Sequence, residues 1–356
     1  MDQASKLMIS LPKDLDAVWI TSPQNRLYFT GFSSSDGILL LTRNTFYFLV
    51  DFRYLEAAKR IIRDMKIVKL TEEHAQLSEI FRQMNLRHVA VEADQMTISV
   101  LNRLQEKYPR TEFVADGRVD EQINRLRMCK TPYELDCIRT AQKITDAAFA
   151  NLLDYIHIGR TEREIAARLE YELKLLGSDG LAFSTICVSG ANSSLPHGVP
   201  GGRTLQEGDF LTLDFGARFK GYCAEMTRTV AIGEISEEQR RVYDTVLHAQ
   251  LAALKAIRPG VECRKIDAVA RDIIAAAGYA ENFGHGLGHS LGVEIQEDPR
   301  YNQTCETLTE PGMVITVEPG IYLENCFGVR IEDMALITRE GYENLTHSPK
   351  ELITLR

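Results

Sequence analysis

Four carboxylates fall at matching places in two strand-like stretches. Residues 210–232 read FLTLDFGARFKGYCAEMTRTVAI, and residues 312–338 read GMVITVEPGIYLENCFGVRIEDMALIT. Each stretch is β-rich at its ends and has a turn candidate in its middle. A turn centred between Phe219 and Lys220 sets Asp214 opposite Glu225. A loop centred at Asn325 sets Glu318 opposite Glu332. Facing side chains in an antiparallel pair have Cβ atoms roughly 4.5–5.5 Å apart, and like charges there are destabilising. Carboxylates so placed among apolar neighbours need a counter-charge or a shared proton. Oxygen-rich sites of this kind suit hard or borderline divalent cations such as manganese.

A third segment, Gly284–Gly292, reads GHGLGHSLG. Its four glycines oppose a helix, so His285 and His289 are not a helical pair of zinc ligands. Glycine instead lets the backbone pass close to a ligand or a neighbouring strand. A neutral imidazole from this segment can complete a carboxylate metal site. His197, in Leu195-Pro196-His197-Gly198, carries less information by itself.

The elements that must position these groups are legible in outline. The first third alternates short apolar runs with helical patterns. Strands are expected at Ala17–Thr21, Ile38–Thr42, Phe46–Asp51, Val89–Glu92 and Phe113–Ala115. Leu55, Ala58, Ile61, Ile62 and Met65 recur at helical spacing, as do Leu77, Ile80, Phe81 and Met84. That alternation predicts an α/β domain with a largely buried sheet. The polar stretch Arg125–Thr131 then leads to Pro132, a first-turn residue for a long helix through about Tyr155. Thr161 with Glu164, and Ser236 with Gln239, are capping boxes that start two further helices. A fourth helix runs from about Arg264 to Ala277 and closes at Gly278. Strands are expected at Ile186–Ser189, Phe210–Phe215, Ala224–Ile232, Met313–Glu318 and Arg330–Thr338. The expected domains are residues 1–124 and 125–356.

Composition narrows the partners. A chain of 356 residues is long enough for two domains. The net charge is -9 and no basic cluster is present, which argues against nucleic acid or anionic membrane as a partner. The seven cysteines form no CxxC pair, as expected for reduced thiols rather than a disulfide framework. The N-terminal MDQASKLMISLPKDLD lacks the apolar core of a signal peptide, and no segment approaches the ~20 apolar residues that span a bilayer. The expected location is the cytoplasm.

The strings LPHG, TLDFGA, GYCAEMTRT, FGHGLGHSLG, TVEPGIY and VRIED resemble, in this order, the motifs of aminopeptidase P and prolidase. NRLYFTGFSSSDG and VDFRY resemble that family's smaller N-terminal domain more weakly. The resemblance implies an α+β pita-bread catalytic domain behind a smaller α/β domain. It implies Asp214, Glu225, His289, Glu318 and Glu332 as ligands of two divalent metal ions, usually manganese, with cobalt or zinc as alternatives. It implies that His197 and His285 contact the substrate and stabilise its tetrahedral intermediate, and that Arg330 braces the ligand carboxylates. Glu318 is also the candidate proton shuttle. The implied activity is hydrolysis of the N-terminal Xaa-Pro bond of peptides, by a homodimer, with Xaa-Pro dipeptidase action as the nearest alternative. Two positions depart from the pattern. Glu225 stands where the family usually has Asp, and Gln296 where it usually has His. They motivate a third reading, a non-catalytic or impaired peptide-binding relative.

Overall fold

The computed structural model describes residues 2–71 and 75–356. The chain divides into two compact units, Met1–Arg127 and Met128–Arg356. Elements of the first unit are, in order, α1 (Gln3–Ser10), β1 (Ala17–Ile20), α2 (Pro23–Thr30), β2 (Ile38–Thr42), β3 (Phe46–Val50), α3 (Phe52–Ile61), β4 (Lys66–Lys69), α4 (Ala75–Met84), β5 (His88–Val91), α5 (Ile98–Lys107) and β6 (Glu112–Val114). The helix α6 (Arg118–Met128) follows. The six strands form one mixed sheet in the order β4-β3-β2-β1-β5-β6. β1 and β2 are buried along their whole length, which is why they read as unbroken apolar runs rather than alternating ones. One face gathers Trp19, Leu40, Leu49, Val91 and Phe113 against Phe81 of α4.

Two expectations fail here, and four elements were not expected. The α3 helix stops at Ile61, with Ile62 already extended, so Met65 does not belong to it. The next residues form β4, an edge strand with exposed lysines at both ends, which has too little apolar character to stand out. The polar stretch from Arg125, read as a connection, is helical as far as Met128, because Val119, Ile123 and Arg127 give α6 a buried face. Helices α1, α2 and α5 were not anticipated. They are short, and α2 buries Asn25 and Arg26 among its aromatic residues, so its inner face is not apolar.

The second unit repeats one arrangement twice: a helix pair, a short strand region, then a hairpin. Its first half contains α7 (Pro132–Leu152), α8 (Glu162–Leu175), β7 (Gly180–Leu181), β8 (Ile186–Ser189), β9 (Phe210–Phe215), β10 (Ala217–Phe219), β11 (Tyr222–Cys223) and β12 (Met226–Ile232). Its second half contains α9 (Glu237–Ala256), α10 (Cys263–Ala276), β13 (Gly288–Ser290), β14 (Glu297–Tyr301), β15 (Val314–Val317), β16 (Gly320–Leu323), β17 (Phe327–Arg330) and β18 (Asp333–Ile337). Two short strands, β19 (Tyr342–Asn344) and β20 (Thr354–Leu355), close the chain. The main sheets run β20-β12-β9-β8 and β14-β13-β15-β18-β19. Helices α7 and α8 pack on the first half's strands, and α9 and α10 on the second half's. Val246, Ala253, Ile266 and Ala270 meet Ile315, Val317 and Ile331 in one hydrophobic core. Capping boxes at Thr131, Thr161 and Ser236 start α7, α8 and α9. All seven cysteines are free. Among the described residues, no helix is long and apolar enough to cross a membrane.

The hairpins set the register of the carboxylates. In the second, Val317 pairs with Asp333 and Gly320 with Arg330, so Glu318 and Glu332 stand opposite each other. Asn325, at φ 56°, tops the loop as expected. The first hairpin differs from expectation. Its turn is Lys220-Gly221, with φ of 48° and 81°, the two positive values a tight two-residue hairpin turn requires. A turn centred one position earlier would put Phe219 at positive φ, which an aromatic residue resists. Asp214 therefore faces Thr227. Glu225 falls opposite Gly216, one step before the Met226–Phe215 pair. The partner shifts by two residues, so both carboxylates stay on one face.

Gly216 is required by this approach. A Cβ there would lie 1.7 Å from the Ala224 carbonyl oxygen. We expect Gly216→Ala to destabilise the protein by on the order of 3 kcal/mol or more, measured by urea unfolding. A change below about 0.5 kcal/mol would show that the hairpin opens freely here.

Candidate metal centre

The two hairpins and the histidine segment converge. Asp214 extends from β9, Glu225 precedes β12, and His289 lies on β13. Glu318 follows β15, and Glu332 sits between β17 and β18. The ladder is interrupted at this last pair: Glu318 N donates to Leu287 O at 2.9 Å, and Glu332 N to Thr227 O at 3.1 Å. These bonds tie the second hairpin to the histidine segment and to the first hairpin. Asp214, Glu225 and Glu332 each present an oxygen, and the three lie within 4.8 Å of one another. His289 Nε2 is 3.6 Å from Glu225 Oε2 and 3.4 Å from Glu318 Oε1. His197, His285, Gln296, Arg300 and Arg330 join Asp214, Glu225, His289 and Glu318 around a cavity of about 370 Å³.

The electrostatics of this cluster ask for positive charge. Burial drives the Glu225 carboxyl well above its ordinary range, and Glu332, Asp214 and Glu318 push it further. Burial does the same to Glu332, reinforced by Glu318 and Asp214. Glu318 is pushed up to about 7 by burial, with Arg330 pulling the other way and Asp214 adding to the rise. Asp214 Oδ1, Glu225 Oε2 and Glu332 Oε1 are buried without a hydrogen-bond partner. Native interiors rarely leave such atoms unpaired. Divalent cations would satisfy all three, so the residues fit a metal centre.

His289 suits a ligand's part. Burial lowers it to about 4, which keeps the imidazole neutral. Its Nδ1 faces the Ser290 carbonyl oxygen at 3.0 Å, so Nδ1 carries the proton and Nε2 offers a lone pair to the cluster. His285 is also lowered to about 4, chiefly by burial. Its Nδ1 faces Gly286 O at 2.8 Å, and its Nε2 lies 3.0 Å from the Tyr322 hydroxyl. With Nδ1 protonated, Nε2 accepts from Tyr322 and is not a free donor in this state. His197 is exposed at the rim.

Arg330 ties these parts together. It donates to Asp214 Oδ2 at 2.6 Å, Thr227 Oγ1 at 3.1 Å, Tyr322 Oη at 2.8 Å and Pro196 O at 3.2 Å. Thr227 Oγ1 donates to Glu332 Oε2 at 2.7 Å, and Thr316 Oγ1 to Glu318 Oε1 at 3.0 Å. Sequence reading missed Thr227, Thr316 and Tyr322. A signal existed: each threonine lies two residues from a glutamate at the end of its own strand, and in extended chain side chains two apart share a face. Tyr322 lies four residues past Glu318. Arg300 was also missed. Its Nη1 donates to Gln296 Oε1 at 2.8 Å.

Two helix pairs, two carboxylate hairpins and a buried acidic cluster define a pita-bread metallopeptidase. Residues 136–339 match the model of metallopeptidase family M24, and residues 11–129 match the creatinase/prolidase N-terminal domain. The chain is 38% identical over 341 residues to the Xaa-Pro dipeptidase of Pyrococcus furiosus, covering 95% of each chain. It superposes on the X-Pro aminopeptidase of Thermotoga maritima with a TM-score of 0.93 at 35% identity, covering 99% of this chain and 100% of that one. The prolidase of Pyrococcus horikoshii gives a TM-score of 0.92 at 35% identity with the same coverage. The chain belongs to metallopeptidase family M24, in the group that holds prolidase and aminopeptidase P.

Proposed function

We propose that this enzyme hydrolyses Xaa-Pro bonds and that dipeptides are its preferred substrates. Five ligand-type side chains converge around three orphaned carboxylate oxygens, and that observation carries the catalytic reading. Asp214, Glu225, His289, Glu318 and Glu332 would hold two divalent ions, with manganese the proposed metal. When bound, the ions supply Lewis acidity that activates a water and offsets the negative charge developing on the scissile carbonyl.

The chain's own groups do the rest. Glu318, least buried of the five and raised toward neutrality, takes a proton from the attacking water. It passes that proton to the prolyl nitrogen, which has no hydrogen of its own and must gain one to leave. Arg330 fixes Asp214 and offsets negative charge behind the ligands. His197, at the rim, donates to the developing oxyanion. His285 acts through Tyr322, whose hydroxyl links it to Arg330. We place the activity in the cytoplasm, in keeping with the free cysteines.

The dipeptide preference rests on Arg300. Its exposed guanidinium lines the cavity, and among the described residues no carboxylate pairs with it. A dipeptide presents its terminal carboxylate close to the scissile bond, where a guanidinium binds it through two parallel hydrogen bonds. The relative from P. furiosus, named as a dipeptidase, supports this reading. The T. maritima structure, named as an aminopeptidase, favours a second reading, in which longer peptides are cleaved. Alanyl-proline, its amide and alanyl-prolyl-glycine separate the two. We expect the free dipeptide to have the highest kcat/KM. We also expect Arg300→Met to raise its KM by roughly tenfold or more, the scale of one charge-assisted contact, while the tripeptide changes little. Equal kcat/KM for all three substrates, unaffected by Arg300→Met, would return the assignment to the aminopeptidase.

A further inference from the structure

Glu162 is wholly buried at the first turn of α8, outside the ligand set, yet it forms no ion pair among the described residues. Instead its carboxyl group collects donors from both ends of one loop. Oε1 accepts from Ser189 N at 2.8 Å, Ser189 Oγ at 2.9 Å and Asn192 Nδ2 at 3.0 Å. Oε2 accepts from Gly201 N at 3.0 Å. The helix backbone reinforces the second end: Glu162 N donates to Arg203 O at 3.0 Å, and Arg163 N to Gly201 O at 3.1 Å. Between Ser189 and Gly201 the chain leaves β8, makes a 3-10 turn and passes through Pro196 and His197 at the cavity. The loop's middle is held by Arg330 at Pro196 O and by Gly328 N at Ser193 Oγ, at 2.9 Å.

We propose that Glu162 is a positioning residue for His197. It clamps the two ends of the Ser189–Gly201 loop, so that the imidazole stands at a fixed place beside the scissile bond without Glu162 touching substrate or metal. The proposal rests on the functional reading of His197 given above. An exposed histidine on a loop has many rotamers and backbone states open to it, and catalysis needs one. Misplacement by about 1 Å is enough to cost roughly 10²-fold in rate.

Glu162→Gln is the informative change, because it keeps the shape and alters the donor balance. Three donors face Oε1 and one faces Oε2, so the amide nitrogen turns toward Gly201 N, where donor meets donor. The variant thus loosens the Gly201 end, four residues from His197, leaving it only the two backbone bonds to α8, and keeps the Ser189 end bound. We expect faster amide hydrogen exchange in peptides covering 195–201, with manganese content and melting temperature little changed. On alanyl-proline, kcat should fall roughly tenfold to a hundredfold, while KM stays within about threefold.

A double-mutant cycle separates positioning from simple support of the fold. In a His197→Ala background, Glu162→Gln should cost less than about twofold, since the group it positions is gone. Costs that multiply in the double variant would overturn the proposal, as would unchanged exchange over 195–201. If Glu162→Gln does not fold, Asn192→Ala removes one donor and is measured in the same cycle. If His197→Ala leaves turnover unaltered, the role given to His197 fails and the proposal with it. If no Xaa-Pro substrate is cleaved by any variant, the functional reading fails, and the exchange measurement still decides whether the clamp exists.

Discussion

Stripping the metal is expected to abolish peptidase activity by more than about 10³-fold, reversibly. It should also lower the melting temperature by on the order of 10 °C. The stability change follows from linkage: an ion present at a thousandfold excess over its Kd and bound only by the folded state contributes about 4 kcal/mol. It should depend on pH with a definite sign. Without cations, Glu225, Glu332 and Glu318 are raised above 4.5, Glu318 to about 7. Between those values the folded apo-protein holds more protons than the unfolded chain. The stability Glu318 contributes is full below about pH 4.5 and is lost as pH rises through about 7, and Glu225 and Glu332, raised in the same direction, contribute with the same sign. Cations replace those protons, so the loaded protein escapes that loss. Melting measured with EDTA and with excess manganese at pH 5 and pH 8 tests this. The gap between the two curves should widen at pH 8. Identical curves at both values would mean that no metal site is populated.

The same cluster shows which parts of a structure local sequence carries. The capping boxes at Thr131, Thr161 and Ser236 are complete within four residues, so no distant partner can change them. The second hairpin is nearly as local, because Asn325 tolerates positive φ and so centres its loop. The first hairpin was misjudged by one turn position, since Lys220-Gly221 wins through the glycine and the cost to Phe219 rather than through any apolar pattern. Strand β4 and the buried polar face of α2 are invisible to hydrophobic periodicity, because tertiary packing alone decides that Asn25 and Arg26 are inside. Among site residues, the acidic groups and histidines are visible as residue types in repeated motifs. Thr227, Tyr322 and Glu162 are ordinary by type. Thr227 acquires its part from Glu332, 105 residues away, and Glu162 from donors 27, 30 and 39 residues away. Such pairings depend on topology, and single-chain spacing does not encode them.

Glu225→Asp and Gln296→His are expected to raise activity, each through a different term. Glu225 offers an oxygen within 4.8 Å of those of Asp214 and Glu332, and its Oε2 is 3.6 Å from His289 Nε2, so as a proposed ligand it would hold metal together with all three. Its backbone is pinned opposite Gly216 and cannot retreat to absorb the extra methylene. Shortening the arm moves the carboxylate by roughly 1.5 Å, against a tolerance for metal ligands of about ±0.2 Å. The expected result is tighter binding of one ion and a higher kcat.

Gln296 lies on the exposed wall and hydrogen-bonds Arg300, so it can orient a group but cannot carry a proton. An imidazole there adds a titratable donor beside the substrate. A positioned acid–base group is typically worth ~10²–10⁴-fold, and we expect a gain near the lower bound. Metal content should stay constant, and KM for alanyl-proline should rise modestly as Arg300 loses its partner. The two positions act on different steps, so the double variant should combine the gains. Metal analysis and alanyl-proline kinetics on the four proteins decide the matter. If the unaltered enzyme is already fast and both substitutions slow it, Glu225 and Gln296 are adapted parts of this site. Metal binding by all four without cleavage of any peptide would instead leave a binding protein built on a peptidase frame.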